Sequence, residues 1–210
     1  MSPPQALRIV IVEDHPVVRS GLKAFLGGQS DMEVVGEAAS TAEAVRLLGR
    51  VTADVVVLDL RLPDASGTEG ITALLAAHPG LCILVLSSYG RTGDVRSALD
   101  AGAAGYVVKD AADEEVVGAV RKVAAGGSFV SQAAARALAG EGDLERLTGR
   151  EQRILELMAE GYANDEIAQE LDLSIGTVKN YIHVILLKLH VKDRTAAVAV
   201  ATRDGRLKPR

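Results

Sequence analysis

Residues 7–14 read LRIVIVED, a run that is apolar but for Arg8 and ends in two adjacent carboxylates. It lacks in-and-out alternation, so a strand here is covered on both faces, as in a parallel sheet. Val55–Leu58 (VVVL), Leu81–Leu86 (LCILVL) and Tyr106–Val108 (YVV) have the same character, and Val34–Ala38 is a weaker case. Helical patterns separate these runs over Pro16–Leu26, Thr41–Leu48, Thr68–His78, Asp94–Ala101 and Asp113–Ala125. Ser40 and Glu43 have the spacing of a capping box for the second helix. Five strands alternating with five helices predict an α/β domain, a doubly wound (βα)5 parallel sheet over residues 6–125.

Ligands of such sheets bind at the carboxyl ends of the strands. Glu13 and Asp14 follow the first strand, Asp59 the third, Ser87 ends the fourth and Lys109 the fifth. Three carboxylates on one edge repel unless a cation or proton compensates them. A hard cation such as Mg2+ suits carboxylate oxygens and leaves positions open for a phosphoryl group. Asp59 could then attack phosphorus to give an acyl phosphate, with Lys109 pairing the phosphate and Ser87 donating a hydrogen bond to it. Each residue alone has an ordinary reading: a turn aspartate, a surface lysine, a strand-end hydroxyl. Their coincidence at the correct strand ends is what points to chemistry.

Gly126–Arg146 is rich in Ala and Gly and reads as a linker, after which the pattern is purely helical. Thr148 and Glu151 form a second capping-box spacing opening a helix to about Ala159, and Gly161 fits its end. Asn164 is placed to cap Asp165–Leu171, and Ser174 a longer helix to about Leu189. In that helix Val178, Ile182, Ile185 and Leu189 form one apolar stripe, which sets Thr177, Lys179, Asn180 and His183 toward the outer side. A short helix over Thr195–Thr202 completes an all-α four-helix unit within residues 147–210.

The chain has 210 residues, with 23 Lys+Arg against 28 Asp+Glu. Residues 1–146 hold 13 basic and 19 acidic residues, whereas Leu173–Arg210 holds 8 and 2. A basic tail on an acidic protein favours an anionic partner, nucleic acid first. The single cysteine, Cys82, excludes an internal disulfide framework, and His15, His78 and His190 lack metal-ligand spacing. The N-terminus lacks a signal-peptide pattern and no run is long enough to cross a membrane, so a cytoplasmic location without membrane contact is expected.

IVEDHP, VLDLRLPDASG, LVLSS and GAAGYVVKD resemble the motifs of a two-component receiver domain. The stretch from LTGREQRILELMAEG through NDEIAQELDLSIGTVKNYIHVILLKLHVKDRTAAV resembles the helix-turn-helix of the LuxR/NarL/FixJ family. The resemblance implies a response regulator: Asp59 the phosphoacceptor, Mg2+ held by Glu13, Asp14, Asp59 and the Arg61 backbone carbonyl, and Ser87, Tyr106 and Lys109 as switch hydroxyl, switch aromatic and phosphate-binding lysine. It also implies a sensor histidine kinase as phosphodonor. Phosphorylation should then draw in Ser87 and rotate Tyr106 inward.

On double-stranded DNA, Ile175–Leu189 should enter the major groove with Lys179, Asn180 and His183 nearest the bases. Thr177 and basic residues such as Lys192 should lie nearer phosphates. Ala196, Ala197, Val198 and Val200 should pair two helical domains into a homodimer on an imperfect palindrome, against the plainer reading of core packing. Two departures bear on this. Gly90-Arg-Thr-Gly93 should make the loop after the fourth strand mobile, and His190 stands where Gly often ends the reading helix. Two other functions stay open: a Mg-dependent acyl-phosphate phosphatase or phosphotransferase, and a phosphate-independent DNA-binding dimer. The first would need a second catalytic acid, and Arg61 cannot serve as one.

Overall fold

The computed structural model describes residues 6–66, 68–88, 92–139, 147–205 and 207. Strands β1 (Leu7–Val12), β2 (Met32–Ala38), β3 (Val55–Leu58), β6 (Ile83–Ser87), β7 (Gly105–Val108) and β8 (Phe129–Val130) form one parallel sheet in the order β2-β1-β3-β6-β7-β8. A small antiparallel hairpin, β4 (Arg61–Leu62) with β5 (Ala65–Ser66), lies between β3 and α3. The helices of this domain are α1 (Pro16–Gly27), α2 (Thr41–Leu48), α3 (Glu69–Ala77), α4 (Thr92–Asp100) and α5 (Asp113–Ala124).

The near-continuous apolar strands are explained by cover on both faces. Val10, Val12, Val56, Leu58, Ile83 and Val85 pack with Ala44, Ile71, Leu74 and Val95. Ile9, Ile11, Val55, Val57, Leu84 and Leu86 pack with Leu26, Val116, Val120 and Val123. Burial of each such Val, Ile or Leu contributes about 1.5–3 kcal/mol, which commits these runs to the sheet interior. Ser40 caps α2 as its spacing predicts, its Oγ accepting from the Glu43 N–H at 3.2 Å.

The sheet has a sixth strand where the sequence predicts five. Phe129 and Val130, in the segment read as linker, pair parallel with Gly105 and Tyr106. Gly105 makes this approach possible: a Cβ there would stand 2.8 Å from the Phe129 carbonyl oxygen. Helix α6 (Gln132–Ala139) follows and buries Ala134, Ala135 and Leu138 in the same cluster as Tyr106, Val95 and Leu99. A two-residue strand gives no periodicity to detect, which is why composition alone reads as linker. Of the expected loop at Gly90–Gly93, Gly90 and Arg91 lie outside the described residues, while Thr92 and Gly93 open α4.

Helices α7 (Gly149–Ala159), α8 (Asn164–Leu171), α9 (Ile175–Lys188) and α10 (Arg194–Arg203) enclose a second core around Ile154, Leu155, Ile167, Val178 and Ile185. Thr148 and Glu151 form a complete capping box, and Ser174 Oγ accepts from the Thr177 N–H at 3.0 Å. Asn164 is the first residue of α8 and not its cap; Ala163 holds that position, with Glu166 accepting from the Ala163 N–H. His190 adopts φ 53°, so α9 ends in a left-handed residue without the usual glycine, closed by Val191 N–H to Leu186 O at 3.0 Å.

Candidate functional site

At the carboxyl ends of β1, β3 and β7, the Lys109 ammonium donates to Glu13 Oε2 at 2.6 Å and to Asp59 Oδ2 at 2.7 Å. Strand pairing fixes this meeting: Asp59 N–H reaches Val12 O and Lys109 N–H reaches Ser87 O, each at 2.9 Å. Glu13 is 1% exposed and the Lys109 side chain 18%. Burial works against the Lys109 charge, yet its hydrogen bonds with Asp59 and Glu13 outweigh that and hold its pKa above the ordinary value. Asp59 Oδ1 also accepts from the Arg61 N–H at 3.3 Å. Glu13, Asp14 and His15 bring ligand atoms within 4.8 Å of one another, and His15 Nδ1 lies 2.7 Å from Asp14 Oδ1. Among the described residues this group includes His15 and not Asp59, whose carboxylate meets Glu13 through Lys109; the carboxylates are hard oxygen donors of the kind Mg2+ takes.

Arg19 is a participant that sequence patterning missed. From the first turn and a half of α1 its guanidinium donates to the carbonyls of Glu13, at 2.6 Å, and Asp14. It thus holds the backbone of the acidic pair in place. Its helical position, one turn after the acidic pair, was the available signal.

Ser87 is buried and shares a hydrogen bond with the hydroxyl of Tyr106, which is itself 0% exposed. Burial pushes the Tyr106 pKa up to about 12. Tyr106 is therefore already inward, contrary to the expectation of a rotation from outside to inside. The reason is its cover: α6 and the end of α4 close over it, packing Ala134, Leu138 and Leu99 into the same cluster.

The expected outer face of α9 is not outward in this structure. Thr177 and Asn180 are both 0% exposed, pressed against the sheet domain. Thr177 Oγ1 donates to Leu99 O at 3.0 Å, and Asn180 Nδ2 to Ala103 O at 3.1 Å and Ala104 O at 3.3 Å. Lys179 donates to Gly126 O, and the Tyr181 hydroxyl to Asp100. His183 is half-buried beside Lys122, and burial followed by that charge lowers its pKa. The sequence shows a trace of this docking: Tyr181, Val184 and Leu187 form a second apolar line on α9, and Tyr181 and Val184 are buried. Glu151, also buried, accepts from Lys188 at 2.8 Å and lies 4.0 Å from Arg96 of α4.

Lys192 is exposed. On α10, Ala197 faces its own core at 0% exposure, so the plainer reading holds for that residue. Val198, partly buried, also packs against that core, while Ala196 and Val200 are partly exposed.

A domain with an acidic, lysine-bridged strand edge clasps the helix by which a second domain would read DNA, an arrangement that defines a switched regulator. Residues 9–121 match the response regulator receiver domain, and residues 145–201 the bacterial regulatory proteins of the luxR family. The chain belongs to the response regulators that join these two domains, and it is a DNA-binding transcriptional regulator. It is 41% identical over 211 residues to the DNA-binding transcriptional activator DevR/DosR of Mycobacterium tuberculosis, covering 97% of each chain. It is 38% identical to the response regulator protein VraR of Staphylococcus aureus, covering 93% of this chain and 96% of that one. Among solved structures, RcsB of Salmonella typhimurium matches at TM-score 0.61 and 27% identity, over 95% of this chain and 99% of that chain. The RcsB–DNA complex matches at TM-score 0.62 and 27% identity over 94% and 98%. Receiver domains generally bind Mg2+ at their acidic site, and regulators of this family partner with sensor kinases and bind DNA. Among the described residues no helix is long and apolar enough to cross a membrane.

Proposed function

We propose that Asp59 accepts a phosphoryl group from a sensor histidine kinase and that this releases α9 to read DNA. The observation that carries the reading is the Lys109 bridge between Asp59 and Glu13 at the mouth of the sheet. An Asp59 oxygen attacks phosphorus, a phosphorus–nitrogen bond breaks, and the donor imidazole keeps the electron pair and takes a proton. Mg2+, held by Glu13, Asp14, Asp59 and the Arg61 carbonyl, would supply charge neutralisation for the incoming dianion. Lys109 transfers its hydrogen bond from the carboxylate to a phosphoryl oxygen, and the Ser87 hydroxyl turns toward another. Intact-mass measurement after acetyl phosphate treatment tests this: one phosphoryl group on the wild type, none on Asp59→Asn. Full modification of Asp59→Asn would sink the assignment.

Loss of the Ser87 hydroxyl from Tyr106 disturbs the cluster formed with Leu99 and α6, next to the carbonyls of Leu99, Ala103 and Ala104 that hold α9. The switch is therefore read as a loosening of the cover over Tyr106, a local charge change biasing a two-state contact. The closed form also carries a built-in cost, since Asn180 Oδ1 is buried with no partner among the described residues. Released, Lys179, Asn180 and His183 face base edges, and Thr177 and Lys192 phosphates. Ala196, Val198 and Val200 offer the surface for a homodimer on an imperfect palindrome in double-stranded DNA. Residues 6–125 act as the receiver and 147–210 as the reader, with β8 and α6 of the intervening segment serving as the receiver's own cover. The working compartment is the cytoplasm, where kinase and DNA meet, and the chain itself is not an enzyme in this reading.

A further inference from the structure

We infer that the cleft between α5, β8, α6 and α9 binds a small amphipathic anion, an apolar body ending in a carboxylate or sulfonate, which holds the two domains together. The cleft has a volume of about 400 Å³, within the range of small-molecule sites. Its walls are apolar, from Phe129, Val130 and Ala135 on the receiver side and Val184 and Leu187 on the reader side, and Leu187 is 45% exposed.

Charge selects the ligand. Lys122 and Arg136 line the cleft from the receiver side, His183 from α9 and His190 from just past its end, and among the described residues no carboxylate lines it. None of these four forms an ion pair among the described residues, and Lys122 has only the Phe129 ring, 5.8 Å from its ammonium to the centroid. Lys188, also at the cleft, is already paired with Glu151. Lys122 and Arg136 repel each other on the receiver wall of this half-apolar cleft, and an anion between them converts repulsion into attraction, while the imidazoles of His183 and His190 can each donate an N–H to it from the reader side. The Arg136 fork suits a bidentate carboxylate or sulfonate.

Since the site takes walls from both domains, it exists only while α9 is docked. Its occupant therefore favours the closed form and weakens DNA binding. This coupling rests on the closed-form reading under Proposed function, whereas ligand binding itself does not.

Decanoate and anilinonaphthalene sulfonate, titrated separately and in competition into the full-length unphosphorylated protein, test both parts. One saturable site per chain, shared by the two probes, is expected. Arg136→Glu and Lys122→Glu, both at exposed positions, should each raise Kd by at least about tenfold. Acetyl phosphate with Mg2+ should weaken decanoate binding, and a saturating selected DNA site should weaken it by the same factor by which saturating decanoate weakens binding to that site, as reciprocity requires. Decanoate should leave the DNA affinity of Arg136→Glu unchanged. Absence of a saturable site, or unchanged affinity in both variants, overturns the site. Binding that is equal with and without phosphorylation overturns the latch, provided phosphorylation alone alters DNA affinity. If it does not, the closed-form reading fails instead, and the variant titrations still decide the site.

Discussion

Tyr181 of α9 donates its hydroxyl hydrogen to Asp100 at the end of α4, joining the two domains through a residue that is otherwise part of the helical domain's core. Burial first, and Asp100 second, push the Tyr181 pKa far above that of a free phenol. Tyr181→Phe keeps the ring in its core and removes only the latch. A hydrogen bond to a carboxylate that is itself exposed is worth about 1–2 kcal/mol. The unphosphorylated variant should bind a selected DNA site roughly tenfold more tightly than wild type, with phosphorylated affinities alike. Titrations by fluorescence anisotropy measure both, and equal unphosphorylated affinities would remove Tyr181 from the switch.

Lys179 has opposite duties in the two states. In the closed form it donates to Gly126 O; in the open form it is the proposed base contact. Lys179→Ala should cost the phosphorylated protein roughly 1–3 kcal/mol and relax preference at one base position in each half-site. The same change should ease opening of the unphosphorylated protein. Lys192→Ala, by contrast, should weaken all sequences alike and flatten the salt dependence. Binding to selected and scrambled sites at several salt concentrations separates the two.

Removal of the Lys109 ammonium leaves Glu13 buried without its cation and Asp59 beside it. Lys109→Met should lower unfolding free energy by about 3 kcal/mol in the presence of a chelator. Added Mg2+ should recover part of that loss, since the carboxylates then regain a counter-charge. Urea denaturation with and without Mg2+ reads this directly. A variant as stable as wild type in chelator would show that the bridge contributes nothing to the fold.

Acidification should open the molecule through His183. Its pKa in the closed form lies below the ordinary 6.5 because of burial and the Lys122 charge, with Arg136, Lys188 and His190 also lining the cleft. Above 6.5 the imidazole is neutral in both forms and costs nothing. As pH falls below 6.5 the open form takes a proton that the closed form resists, so closed-form stability is lost progressively through the depressed value. Small-angle scattering of the unphosphorylated protein should show expansion on this side of 6.5, and His183→Gln should blunt it.

The strand ends and helix caps were legible because each is a local rule. LRIVIVED and VVVLD place Glu13, Asp14 and Asp59 on one sheet edge, and Ser40, Thr148 and Ser174 each cap the helix assigned to them. The docking of α9 was not legible from one stripe of apolar residues, because Thr177 and Asn180 are polar side chains whose partners are backbone carbonyls far away in sequence. Nor was the burial of Tyr106, which depends on β8 and α6. Those elements form from an Ala- and Gly-rich segment that has no helical or strand signal strong enough to stand alone.

The docking of α9 on residues 99–104 has a consequence for gene dosage. Thr177 and Leu99 belong to one chain, so the shield and what it shields meet at an effective concentration fixed by the covalent connection between the domains. That value does not change with the number of copies in the cell. Pairing of two chains on DNA does depend on copy number. Overproduction of the unphosphorylated protein therefore deepens its readiness to respond without weakening each molecule's silence, and the setting of the switch is carried within the single chain.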